Sequence, residues 1–126
     1  MADGWLVYEP PPPFEPVDRF EPVILHVVTF RWHQTVTTED VEALSSDLRA
    51  FRQTAGALLV DYHFGPDLEL RHGNGDFAVV ALLASPGDLA AYLDHPLHKE
   101  LVARRLGPMT ETRLAVQIEV EPAPIA

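Results

Sequence analysis

Ala90-Ala91-Tyr92-Leu93-Asp94-His95-Pro96-Leu97-His98-Lys99-Glu100-Leu101 brings a phenol, a carboxylate and two imidazoles within seven residues of one another. The approach to it reads as a helix start. Ser85 is a capping residue, Pro86 suits the first helical position, and Asp88 stands where a capping-box acid belongs. Leu89, Tyr92 and Leu93 recur at i, i+3 and i+4, which puts Tyr92 on the apolar face. Pro96 removes a backbone donor and drives His95 out of helical conformation, so the helix breaks and a second one restarts at Pro96. Leu97, Leu101 and Val102 are expected on the buried side of that second helix, with His98 in its first turn. The positive end of a helix dipole disfavours an imidazolium there and favours the neutral imidazole that a general base requires. A histidine at a helix break also serves as a surface corner or a plain cap, and local sequence leaves both readings of His98 open.

Outward from this stretch, Val23 to Trp32 is rich in β-branched and aromatic residues and reads as the first strand. His26, Val28, Phe30 and Trp32 share one face of it; Leu25, Val27, Thr29 and Arg31 share the other. Thr37 or Thr38 caps a helix with Glu39 and Asp40 in its first turn, whose Val41, Leu44, Leu48 and Phe51 recur at spacings of three and four. Gly56 is expected to close it, and Leu58 to Phe64 to form the second strand. The loop from Gly65 to Gly75 lacks the spacing of a phosphate cradle, and its Asp67, Glu69 and His72 read as solvated rather than metal-binding. Asp76 to Ala84, almost continuously apolar, is expected as a central third strand buried on both faces. Gly107-Pro108 is expected to end the broken helix. Glu111 to Glu121 follows as the fourth strand, with Leu114, Val116, Ile118 and Val120 alternating against Arg113, Gln117 and Glu119.

The order is β-α-β-β-α-β, an α+β, ferredoxin-like pattern with an antiparallel sheet. Helices cover one face of such a sheet. A second apolar face points to cover by another sheet, most simply that of a second copy, giving a homodimer through the open sheet face and a dimeric α+β barrel. The domain is expected over residues 23–121, with a short tail at 122–126. Residues 1–22 carry the run Pro10 to Pro13 and scattered aromatics, and read as a proline-rich arm lying across the domain or a partner subunit.

A chain of 126 residues is one domain with room for a real core. No run approaches the roughly 18 apolar residues that span a bilayer. The first residues offer acids and prolines rather than a basic region and an apolar stretch, so no signal peptide is expected. The absence of cysteine excludes disulfides and thiolate chemistry and fits a cytoplasmic location. A net charge of −10 repels phosphate backbones and anionic lipid, so neither nucleic acid nor membrane is an expected partner.

The stretch 91–98, with its Tyr-x-x-His-Pro-x-His spacing, joins the opening strand His26-Val27-Val28-Thr29-Phe30-Arg31-Trp32 and the helix start Thr38-Glu39-Asp40-Val41. Together these residues resemble the stress-responsive A/B-barrel (Dabb) domain family, over about residues 23–121. The resemblance implies a dimeric α+β barrel. It also brings the family's best understood chemistry, that of a plant polyketide cyclase that folds a linear poly-β-keto product into an aromatic ring by intramolecular aldol condensation without a cofactor. The catalytic His and Tyr on the broken helix of that enzyme match His98 and Tyr92, and its first-strand pocket His matches His26. A further pocket His of that enzyme falls on Phe77, so one polar wall is absent here.

Aldol chemistry needs a base for a proton between two carbonyls, a donor for the enolate oxygen, and a pocket that folds the substrate. His98 is the expected base, Tyr92 the donor to His98 or to the oxyanion, and His26 a polar group in the pocket. Val28, Phe30, Trp32, Phe51, Phe77, Val79 and His95 are expected to contact a small hydrophobic or aromatic ligand, with neither metal nor cofactor. Three other classes compete: a non-catalytic dimeric binding protein, a cofactor-independent oxygenase resting on Trp32 and the His pair, and a metal enzyme using His95 and His98.

Overall fold

The computed structural model describes residues 22–121; the tail and all but the last residue of the expected arm lie outside the described residues. Strand β1 (Val23–Trp32) runs as the sequence implies. Helix α1 (Thr38–Thr54) starts at a reciprocal capping box: Thr37 Oγ1 accepts from the Asp40 N–H at 3.1 Å, and Asp40 Oδ2 accepts from the Thr37 N–H at 2.9 Å. Its Leu44, Leu48 and Phe51 are buried.

The exit of α1 corrects one expectation. Ala55, not Gly56, caps the helix, and Gly56–Leu58 coil into a 3₁₀ turn held by Leu58 N–H to Ala55 O at 2.9 Å and Leu59 N–H to Gly56 O at 3.2 Å. Strand β2 therefore covers Asp61–Pro66 and does not include Leu58. Strand β3 (Phe77–Leu83) is central, but only Phe77, Val79, Ala81 and Leu83 are buried; Ala78, Val80 and Leu82 are half-buried, because one chain supplies no layer over that face.

Helix α2 (Pro86–Leu93) is capped by Ser85, whose Oγ accepts from the Asp88 N–H at 3.1 Å, and α3 (Pro96–Leu101) restarts it at the proline. On α3 only Leu101 is buried; Leu97 is 39% exposed, which reverses its expected facing, while Val102, just past the end of α3, is 38% exposed yet turned toward the space between helices and sheet. Pro96, Leu97 and His98 make up the first turn, and it is His98 and Leu101, three residues apart, that face the sheet. Gly107-Pro108 does not end the helix. Residues Val102–Leu106 widen into a π turn in which the Gly107 N–H reaches Val102 O, and a last turn α4 (Gly107–Met109) leads directly into β4 (Thr110–Val120).

The sheet order is β2-β3-β1-β4, with every neighbour antiparallel. The helices cover the face that carries His26, Val28, Phe30, Tyr62 and Val79, which fixes the α+β ferredoxin-like fold. On β4 the alternation runs with its polar row toward the helices. Gln117 lies opposite His26 and Arg113 opposite Phe30, while Leu114, Val116 and Ile118 lie opposite Thr29, Val27 and Leu25 on the outer face. Those three β4 residues are 76%, 53% and 50% exposed, and with Leu25, Val27, Val80 and Leu82 they make an apolar surface of the kind a second sheet covers. Val116→Glu or Ile118→Glu is therefore expected to convert a dimer to a monomer in sedimentation velocity. Leu70→Glu, in the equally exposed loop after β2, should leave the dimer intact; a monomeric wild type would remove this role for the sheet face.

Candidate functional site

Between sheet and helices lies a cavity of about 380 Å³, within the range of small-molecule sites. β1 supplies His26, Val28 and Phe30; β2 and β3 supply Tyr62 and Val79; α1 supplies Leu48 and Phe51. Tyr92, Leu93, His98 and Leu101 come from the broken helix, Val102, Leu106 and Gly107 from the π turn and its exit, and Thr110 and Arg113 from the start of β4.

The helix break sets the state of His98. In an unbroken helix the Leu93 carbonyl would accept from the N–H of residue 97. Here the Leu97 N–H is taken by His95 Nδ1 at 3.1 Å, the side-chain cap of α3. The freed Leu93 carbonyl lies 3.2 Å from His98 Nδ1. A carbonyl only accepts, so the Nδ1 proton is fixed there and the Nε2 lone pair is left free. Burial pushes the His98 imidazolium below the ordinary histidine range, outweighing the lift from the Leu93 hydrogen bond, and Arg113 and His95 push the same way as burial.

His26 is held in the opposite tautomer. Gln117 Nε2 donates to His26 Nδ1 at 2.7 Å, which leaves the ring proton on Nε2. Burial, then Arg113 and His98, lower its pKa too. The cavity thus has two neutral imidazoles, one with a free lone pair and one with a free N–H. Tyr92, 2% exposed, packs between them, with ring centroids 4.8 Å from His98 and 5.9 Å from His26. Burial raises the Tyr92 phenol, so it stays protonated as a donor. Tyr62 is raised as well, by burial first and then by the charge and hydrogen bonding of Tyr92 alongside it.

The structure brings His26, Val28, Phe30, Phe51, Val79, Tyr92 and His98 together, and leaves three of the expected contact residues outside. Trp32 sits where the β1 register shifts at the strand end; it stacks on Phe30 at 5.5 Å and lines a separate groove between the start of α1 and the loop after β2. Phe77 pairs across the sheet with Phe30 and packs against Trp32 at 5.6 Å, outside the cavity lining. His95 spends its Nδ1 on the α3 cap and sets its ring edge-on to Phe51 at 5.6 Å. Tyr62, Thr110, Arg113 and Gln117 were not expected at the site. The parity of β4 held the signal for Arg113 and Gln117, since the apolar row on that strand belongs to the outer face. Among the described residues no group of three His, Asp or Glu is placed to hold a metal ion, and no helix is long and apolar enough to cross a membrane.

No curated protein matches the chain in sequence. Among solved structures, a dimeric ferredoxin-like protein of unknown function from Thermobifida fusca is 40% identical, covers 80% of this chain and 93% of its own, and superposes with a TM-score of 0.74. The hydroxynitrile lyase of Passiflora edulis is 16% identical over 82% of this chain and 98% of its own, with a TM-score of 0.69. A Dabb family protein from Mesorhizobium loti is 18% identical over 84% of this chain and 100% of its own, with a TM-score of 0.60. The stress responsive A/B barrel domain matches residues 24–120, which takes in every strand of the sheet but one terminal residue, and the chain belongs to that family.

Proposed function

We propose that the cavity is the active site of a cofactor-free enzyme that removes a proton beside a carbonyl and forms or breaks a carbon–carbon bond. In its specific form the reaction is an aldol-type cyclisation of a small hydrophobic or aromatic biosynthetic intermediate. The observation that carries this reading is His98, an imidazole kept neutral, with its one proton tied to the Leu93 carbonyl, lining an apolar cavity beside the Tyr92 phenol. Nε2 takes the proton from a carbon between two carbonyls. The C–H electron pair becomes an enolate, whose carbon attacks a ketone further along the same chain. As the new carbon–carbon bond forms, the ketone π electrons pass to its oxygen, which takes a proton back from the His98 imidazolium. Tyr92 O–H and His26 Nε2–H stabilise the negative oxygen at each stage. In this reading His98 is oriented by the backbone, and Tyr92 is free to serve the substrate. General-base assistance supplies roughly 10²–10⁴-fold, and the apolar walls supply the rest by holding a flexible substrate in a reactive fold. A hydroxynitrile lyase on the same fold supports the reading as a case of lyase chemistry in this architecture. The groove position of Trp32 takes that side chain out of the cavity and leaves the oxygenase alternative resting on the His pair alone. A cytoplasmic enzyme acting as a homodimer completes the proposal.

Exchange of the α-protons of phenylacetone in D₂O, followed by NMR, tests the base without knowledge of the substrate. Wild type should accelerate exchange, His98→Ala should lose roughly 10²–10⁴-fold, and Tyr92→Phe should lose less. Equal rates for wild type and His98→Ala would remove His98 as the base. The acid limb of the wild-type rate should fall below pH 6.5, because burial makes this imidazole take its proton at a lower pH than an ordinary histidine does.

The same depression acts on stability. His26 and His98 have folded pKa values below 6.5, so between that value and their folded values the unfolded chain binds protons that the native one does not. Their contribution is fully present above pH 6.5 and is lost as pH falls through and below it. Thermal melts should accordingly drop from pH 7.5 toward about 5.5, and His98→Gln should flatten that slope; an unchanged slope would place the His98 pKa at its ordinary value.

A further inference from the structure

The cavity is lined by apolar groups, two neutral imidazoles, two phenols and one charged side chain, Arg113. The protein carries 19 Asp and Glu residues and a net charge of −10, yet no carboxylate lines the cavity. The one cation stands at the start of β4, on the row that faces the helices, three residues from Thr110. Thr110 Oγ1 is buried against the same cavity, and among the described residues it is the one buried side-chain oxygen or nitrogen without a hydrogen-bond partner. Leaving a buried hydroxyl unpaired is costly, and such groups are normally satisfied by something that binds.

We propose that the site takes hydrophobic or aromatic compounds bearing a carboxylate, with the anion held at the cavity mouth by the Arg113 guanidinium and the Thr110 hydroxyl and the apolar body lying along Val28, Phe51 and Val79. The fork of a guanidinium matches two carboxylate oxygens, and its stem packs against apolar surface while the head stays at the rim. Arg113 is an exposed residue, so it forms the mouth of the cavity and not its floor. Acids elsewhere on the protein repel an incoming anion, and the absence of acids from the cavity lining leaves Arg113 as the one local attraction. The inference deepens the reading of the cavity as the ligand site; it does not depend on the chemistry given to His98.

The test uses matched pairs that differ only in charge: 3-phenylpropanoate, 4-phenylbutanoate and 2-naphthoate, each against its primary amide, titrated calorimetrically into the full-length protein. The acids should bind wild type tighter than the amides by on the order of 10- to 100-fold, the usual scale of a charge-assisted hydrogen bond. Arg113→Gln should abolish that preference, weakening the acids by the full factor of about 10 to 100 and the amides by much less. Arg31→Gln, which makes the same change of net charge at a residue that bonds the Asn74 carbonyl away from the cavity, should leave the preference in place. Added salt should weaken the acids alone. Equal affinities for acid and amide in wild type, or a preference that survives Arg113→Gln, overturns the proposal while leaving the cavity as the ligand site. Failure of every acid and every amide to bind overturns the ligand site itself and the proposal with it.

Discussion

A missing backbone proton at Pro96 governs the geometry of this protein. The helix cannot pass through it, so the chain turns at His95 and starts again, and the carbonyls of the last turn of α2 need new donors. His95 answers one end of the break as a side-chain cap, and His98 answers the other by giving its Nδ1 proton to Leu93. Both imidazoles are thus bound up in backbone repair. For His95 that role is joined by edge-on packing against Phe51. For His98 it settles which nitrogen is left with a lone pair, and burial settles that the lone pair is unprotonated. The cap that the stretch could supply is thus made by His95, and His98 is left half-buried with its Nδ1 on the Leu93 carbonyl.

The two sides of the cavity are prepared in complementary ways. Gln117 holds His26 as a donor, and Leu93 holds His98 as an acceptor, with Tyr92 packed against both rings. None of the three is charged at neutral pH, so the interior pays no large desolvation cost, and the only full charge stays at the rim on Arg113. A cavity of about 380 Å³ is large for a domain of this size, whose interior otherwise gains by close packing.

Much of this was legible in the sequence because it rests on local rules. The helix start at Thr37, one of the two caps the sequence offers there, the cap at Ser85, the proline break and the first strand follow from short-range stereochemistry, and each falls where those rules put it. What escaped depends on relations between distant residues. Alternation on β4 is visible in the sequence, but which row faces the helices is set by pairing with β1, and here the polar row does. Trp32 shares the strand parity of His26, yet the register shift at Arg31 and Trp32 and the length of β1 carry it past the cavity to the groove beside α1. Tyr62 had the right parity on its strand, but nothing local marks it as a neighbour of Tyr92 thirty residues on. The π turn left no signal beyond Gly107, where a Cβ would stand 3.2 Å from the Val102 carbonyl.

The eleven-residue edge strand β4 has a consequence for how the molecule fails. Its side chains alternate between the site and the outer sheet face, so a slip of one residue against β1 exchanges the two sets completely. Leu114 and Val116 would then crowd the space beside His26, and Arg113 and Gln117 would be thrust into the surface meant for a second sheet. A mispaired chain would lose both the polar groups of the cavity and the apolar character of the outer face. One register of β4 thus sets the cavity lining and the outer apolar face together.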